Sequence, residues 1–311
     1  MKRRRLNLVL AGVAIALGTA VYFSEQKKPA GPPLTKYKAD AVTTIEIAHP
    51  KADRIRLERH DAKWALTSPV KVDADPLEAA GLAALAEKET REKLDPAQVK
   101  LDELKLDPPE YTVSFNDAQV AVGGTEPLEY RRYVKTADGI FLIDDPPGAP
   151  LDADYADLVA KNLFPENLGL ERIEVPGLTA GRDQNGKWQA LGGDPKKATP
   201  EALQKFVDSW KTARAMWNEL APRDKPPTGD PVKVTVQGGT TYAFVVAARE
   251  PQFKLYRPDA GVIFVLSKAL ANDVLKLPEP AAPAAPPAGT APGTPLPPEL
   301  LPPPSAPTPK K

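Results

Sequence analysis

Arg59-His60-Asp61-Ala62-Lys63-Trp64 returns in the second half of the chain as Arg182-Asp183-Gln184-Asn185-Gly186-Lys187-Trp188. The offset is 123 residues at the arginine and 124 at the tryptophan. The same spacing carries Asp75-Pro76 onto Thr199-Pro200, Tyr133 onto Tyr256, and Phe141-Leu142 onto Phe264-Val265. Solenoid repeats have periods of about 20–50 residues, so this period is too long for one. It predicts two copies of one domain, and 311 residues leave room for two domains of about 100–150 residues each.

Reading outward from the repeated Lys-Trp gives the same order of elements in each copy. Ile55-Arg56-Leu57-Glu58-Arg59 alternates apolar and charged side chains, the pattern of a half-buried strand. Asp61-Ala62 and Asn185-Gly186 turn the chain, and the latter is the stronger hairpin signal. Asp75 and Thr199 each precede a proline, as a helix cap followed by Pro at its first position does. The second helix is expected to run from Thr199-Pro200 to about Leu220, with Phe206, Trp210 and Trp217 on one stripe. Strands follow over 111–115, 119–122, 131–135 and 140–143, then over 232–236, 241–247, 254–257 and 262–266. Residues 140–143 and 262–266 are apolar on both faces, which predicts central strands covered on both sides. Residues 152–162 and 269–277 are expected to close the two copies as helices. The fold class is therefore α+β: two tandem antiparallel-sheet-plus-helix domains, 41–165 and 166–278.

The ends have a different composition. Residues 6–23 carry no charge, follow Lys2, Arg3, Arg4 and Arg5, and end in Tyr22-Phe23. At about 1.5 Å per residue they match a hydrocarbon core of about 30 Å. Residues 1–23 thus predict a transmembrane anchor. The four cations hold the N-terminus in the cytoplasm, and the body is exported. A cleaved signal peptide is the competing expectation, because Gly18-Thr19-Ala20 is a small-x-small triplet. Residues 24–40 read as a linker that lifts the body off the membrane. Residues 279–311 are nearly all Pro, Ala, Gly and Thr and are expected to be disordered, with polyproline II character.

Composition removes several functions. Without the four N-terminal cations, 37 basic residues face 41 acidic ones. A weakly acidic body does not suit nucleic acid, whose binding rests on neutralised phosphates. The absence of cysteine excludes disulfides, thiolate metal sites and a cysteine nucleophile. His49 and His60, the only histidines, do not recur and form no zinc-ligand spacing. The acidic clusters Asp73/Asp75, Asp144-Asp145 and Asp152/Asp154/Asp157 stand at expected caps and strand ends. The glycine pairs at 123, 192 and 238 fit no phosphate-binding pattern and read as turns. No catalytic, cofactor or metal residues are assigned. Core packing is the favoured reading of Trp64, Trp188 and Trp217, which stay on as secondary candidates for a binding surface.

Val42-x-x-Ile45, Lys63-Trp64-x-Leu66-x-x-Pro69, Leu104-x-Leu106-Asp107-Pro108-Pro109-x-Tyr111-x-Val113 and Val122-Gly123-Gly124 together resemble the bacterial domain-of-unknown-function family 4340. The resemblance covers residues 41–145. It is weaker in the second copy, where Thr228-Gly229-Asp230-Pro231 replaces the Leu-Asp-Pro-Pro element. It implies an N-terminal membrane segment and an exported body. Some relatives accompany ABC-transporter components linked to gliding motility, and the family has no catalytic residues to carry over. The expected function is a non-enzymatic, membrane-anchored periplasmic binding or scaffold protein with a protein partner in the envelope. The alternatives are an auxiliary subunit of an ABC-type or envelope export system and a glycan-binding or glycan-acting protein.

Overall fold

The computed structural model describes residues 31–278 except 51, 145–153, 166 and 195–196, together with residues 13 and 16–18. The anchor segment, apart from those four residues, and the Pro-rich tail lie outside the described residues, as do Lys2 to Arg5, Asp145 and Asp152. The described residues all fall within one unit, Met1–Pro278.

Copy one builds a nine-stranded antiparallel sheet. Its strands are β1 (Thr44–Ala48), β2 (Ile55–His60), β3 (Lys63–Ser68), β4 (Val72–Asp73), β5 (Thr90–Leu94), β6 (Tyr111–Phe115), β7 (Ala118–Thr125), β8 (Arg131–Thr136) and β9 (Gly139–Asp144). Helix α1 (Pro76–Leu85) lies between β4 and β5. The order across the sheet is β4-β3-β2-β1-β6-β7-β8-β9-β5. Copy two has β10 (Leu170–Val175), β11 (Leu178–Arg182), β12 (Trp188–Gly192), helix α2 (Pro200–Thr212), β13 (Trp217–Leu220), β14 (Asp230–Val236), β15 (Thr241–Ala248), β16 (Phe253–Arg257), β17 (Val262–Leu266) and helix α3 (Lys268–Leu275). Its order, β12-β11-β10-β14-β15-β16-β17-β13, repeats the first with β4 left out. The protein is therefore mostly β, with two antiparallel sheets, three α-helices and a 3-10 turn at Ala39–Ala41 among the described residues of the body.

The period-two pattern sets which side chains enter the core. Ile45, Ile47, Ile55 and Leu57 are buried, and their neighbours along each strand face outward. At the end of β6, Asn116 takes the left-handed conformation at φ 53°. Its Oδ1 accepts from the Thr43 and Thr44 amides, and its Nδ2 donates to Ala41 O, which pins the start of β1. Helix α2 buries Leu203, Phe206, Val207 and Trp210 on one face. Trp210 is fully enclosed, and its Nε1 donates to Val274 O of α3 at 2.9 Å. Each such large apolar side chain contributes about 1.5–3 kcal/mol through burial.

Several expectations change here. Helix α2 stops at Thr212 because Ala213 turns to an extended ψ of 122°. Residues 217–220 are strand β13, paired with β17, so Trp217 does not share a stripe with Phe206 and Trp210. Helix propensity runs on past Ala213, and pairing with an already formed sheet overrides it. The matching edge strand β5 was hidden by Arg91, Glu92 and Lys93, charges that suit a sheet edge. Consequently β9 and β17 are next to the outermost strands, not central. The described part of 152–162 holds turns and isolated bridges instead of a helix. Gly123-Gly124 lies inside β7, not in a turn: a Cβ on Gly123 would sit 2.3 Å from Leu104 O. The Asn185-Gly186 hairpin is wider than two residues, because Arg182 pairs with Trp188 and the Asp183 carboxylate accepts from the Asn185 and Lys187 amides.

Residues 31–35, expected within the linker, belong to the fold. The Gly31 amide donates to Thr90 O at 2.7 Å, and the Thr90 amide donates back to Pro32 O at 3.0 Å. The Leu34 and Thr35 amides donate to Lys88 O and Ala86 O. Copy two repeats this strap: Asn162 bridges Arg214, and the Ala215 amide donates to Lys161 O at 2.8 Å. Each copy is thus entered by an extended segment laid against the lead-in to its own late edge strand. A Cβ on Gly31 would lie 2.4 Å from Thr90 Oγ1 and 2.9 Å from Thr90 O. Gly31→Val should peel the strap from β5 at a cost of about 1–3 kcal/mol. Hydrogen exchange should accelerate over residues 31–35 and 86–90 while the second sheet stays protected.

Candidate functional site

Asp75 is the residue from which the site grows. It is the N-cap of α1, and its Oδ1 accepts from the Leu77 and Glu78 amides at 3.0 and 3.3 Å. An oxygen here satisfies amides that the helix itself cannot. Asp75 is only 1% exposed, and its Oδ2 accepts no hydrogen bond. That oxygen faces two cations, Lys161 Nζ at 3.3 Å and Arg214 Nη2 at 3.8 Å. Lys161 also donates to Glu78 Oε1 at 3.2 Å. Burial alone would lower the Lys161 pKa. Glu78 and Asp75 outweigh it and hold the ammonium above its ordinary value.

The residues that meet at Asp75 come from both copies because of the segment around residues 155–165. On one side it extends β4: the Asp75 amide donates to Leu158 O, the Ala160 amide donates to Asp73 O, and Ala74 bridges Val159. On the other side it carries the Lys161–Ala215 and Asn162–Arg214 pairing. Asn218 Nδ2 donates to Ala156 O and Val159 O, and Tyr155 OH donates to Ala260 O at 3.2 Å. Phe164 enters the core of copy two edge-on to Tyr242 and Phe244, at centroid distances of 5.3 and 5.9 Å. One hydrophobic core runs through both sheets and this clasp.

A cleft of about 220 Å³ opens at the seam. Trp64 and Phe164 line it with Lys63, Asp75, Lys161 and Arg214. A second hollow of about 430 Å³ shares Phe164 and Arg214 and adds Lys211. A larger groove of about 690 Å³ lies on copy one, between Leu34–Lys36 and the outward-facing Thr112, Gln119 and Lys135.

The three candidate tryptophans have three different settings. Trp64 is 8% exposed and belongs to the core, with Arg59 over its ring at 5.5 Å. Trp188 is half-buried against the same core, under Arg182 at 5.1 Å. The repeated Arg-Lys-Trp is therefore a stacked cross-strand pair in each hairpin. Trp217 is 39% exposed, beside exposed Met216 and Leu220. Its Nε1 donates to Glu219 Oε1, and Lys254 donates to Glu219 Oε2 at 2.7 Å. Of the three, only Trp64 lines the seam cleft.

The other sequence candidates have local structural partners. His49 packs its ring 5.1 Å from that of Tyr111, and His60 lies 3.6 Å from Glu58. Arg91 clamps Asp144 at 2.6 and 2.9 Å and holds its carboxyl below the usual range. The Asp154 carboxylate accepts from the Ala156 amide, and the Asp157 carboxylate from the Asp154 amide. Among the described residues, no group of three or more His, Cys, Asp or Glu is placed to hold a metal ion. Lys161 and Arg214 escaped the sequence reading because only the clasp brings them to Asp75. Their one local trace was the choice of Asp where copy two has Thr199.

The family model described as "Domain of unknown function (DUF4340)" matches residues 64–223, from the Lys-Trp of copy one across the seam and into copy two. The chain belongs to this family. No curated protein and no solved structure matches it.

Two outcomes test this geometry. Asp75→Ala should cost about 2–4 kcal/mol, since it removes a cap and leaves two cations without their buried partner. Asp75→Thr, which copies the cap of α2, should cost less by about 1 kcal/mol; urea unfolding of both variants measures the difference. The Lys254 hydrogen bond lowers the Glu219 pKa. The stability it gives is present above the ordinary carboxylate value and is lost as pH falls through the lowered one. Trp217 emission should shift in that acidic window in the native protein and stay flat in Glu219→Gln.

Proposed function

We propose that this protein is a non-enzymatic binding or scaffold protein of the bacterial envelope, and that it meets its partner at the seam between the two copies. The observation that carries this reading is the seam cleft, to which both copies contribute side chains. Asp75, Glu78, Lys161 and Arg214 are held there in mutual ion pairs, an arrangement suited to recognition. Residues 6–23 anchor the chain in the inner membrane, behind the cytoplasmic Lys2, Arg3, Arg4 and Arg5, and the two sheets stand in the periplasm.

The strap adds a geometric consequence to that placement. Eight residue steps separate Phe23 from Gly31. They reach at most about 28 Å. The β5 end of copy one is thus held close to the bilayer. A second reading, an auxiliary subunit of an envelope export system, is favoured by the exposed side chains of Met216, Trp217 and Leu220 at a sheet edge. Exposed aromatic and apolar side chains of this kind serve as interface anchors. Among the described residues, no helix is long and apolar enough to cross a membrane.

Protease added to intact spheroplasts should digest the body; digestion only after lysis would refute the placement. A photo-crosslinking residue at Asn162 should capture an envelope protein in living cells. One at Trp217 should do so only if the second reading holds. A well-expressed protein that gives no adduct from either position would refute partner binding.

A further inference from the structure

The seam cleft carries a chemical bias that the fold does not require. Copy two caps α2 with Thr199, whose hydroxyl accepts from the Ala202 amide at 3.2 Å. A neutral oxygen is therefore enough for this cap. Copy one uses a carboxylate, spends one oxygen on the helix and turns the other toward Lys161 and Arg214.

The two cations differ in what they have left to offer. Lys161 is engaged by Glu78 and Asp75. The Arg214 side chain is 55% exposed and makes no hydrogen bond among the described residues. At 3.8 Å, Asp75 orients its guanidinium by charge without taking up its donors. A planar fork of N–H groups held this way matches a carboxylate in two-point contact. Trp64 and Phe164 supply an apolar wall beside it.

Size and charge narrow the ligand. The cleft is small, about 220 Å³ against the roughly 300–1,000 Å³ of a pocket for a drug-sized ligand, which suits an end group. Lys63, Lys161 and Arg214 face Asp73 and Asp75 along its walls, and Glu78 stands 3.2 Å from Lys161. With Glu78 counted these charges cancel, so a bound anion is met by the unengaged donors of Arg214 and not by a net positive field. A dianionic phosphate would meet added repulsion from the two aspartates.

We infer that the cleft binds a small monocarboxylate with an apolar side chain. It is an acylated amino acid, either free or as the C-terminal residue of a peptide. Its carboxylate lies on Arg214 and its side chain lies against Trp64 and Phe164. This rests on the reading of the seam as the binding surface and names what that surface recognises.

The test is calorimetric titration of the full-length chain in detergent micelles with N-acetyl-leucine, N-acetyl-leucinamide and acetyl-Ala-Ala-Ala-Leu. The free acid should bind about tenfold or more tightly than the amide, as loss of a charge-assisted pair requires. Arg214→Gln should abolish that preference in a protein that still unfolds cooperatively, and Lys211→Gln, outside the cleft, should retain it. Binding by both acids marks a site for the end group alone; binding by the peptide only supports the inference with a peptide as its source. Equal binding of acid and amide, or a preference that survives Arg214→Gln, overturns it. Failure of every probe while Asn162 still crosslinks in cells overturns the carboxylate ligand alone. Loss of the crosslink as well removes the partner-binding reading.

Discussion

The backbone pairing of the clasp is the constraint on which the rest of this molecule depends. Residues 158–162 bond to Asp73 and Asp75 on one side and reach Arg214 and Ala215 on the other. Two sheets that repeat one strand order could have been two separate beads. Instead the edge of the first is continued by the clasp toward the edge of the second, and Phe164 plugs the core beyond. Buried amides and carbonyls need partners, and a short connection between two sheets finds them most readily along the sheet edges. That requirement places Lys161 next to a helix cap 86 positions earlier and next to Arg214, 53 positions later.

The charged seam follows from this placement. An aspartate at a helix N-terminus usually shares its second oxygen with water. Here the clasp covers it, and burying a carboxylate is costly unless opposite charge stands beside it. Lys161 and Arg214 supply that charge, and Glu78 fixes Lys161 from the exposed side. The cleft is therefore polarised by the way the copies are joined, and neither copy alone contains it.

The duplication separates features that the fold needs from features that it does not. The stacked Arg-Trp pairs and the Pro-started helices recur in both copies, as a shared core demands. The straps recur too, although no sequence motif marks them: backbone hydrogen bonds from residues 31–35 and 161–162 depend on no particular side chain. The Asp75 carboxylate, the two cations around it and the exposed Met216, Trp217 and Leu220 do not recur. Those are the positions at which function is best sought.

Read alone, the sequence determined the repeat, the alternation that buries Ile45, Ile47, Ile55 and Leu57, the capped starts of both helices, and membership of its family. These depend on local periods and on caps whose chemistry lies within a few residues. It misplaced Trp217 and the closing segment 152–162, and missed β5, because each is settled by a partner far along the chain. Arg91, Glu92 and Lys93 show no apolar alternation, and residues 213–217 suit a helix as well as a strand. Only β9 and β17, once in place, offer the hydrogen-bonding edges that make them strands. The seam cleft was invisible for the same reason. Its charges are scattered through the sequence, and tertiary structure alone decided that a cap, a clasp and the lead-in to an edge strand would meet.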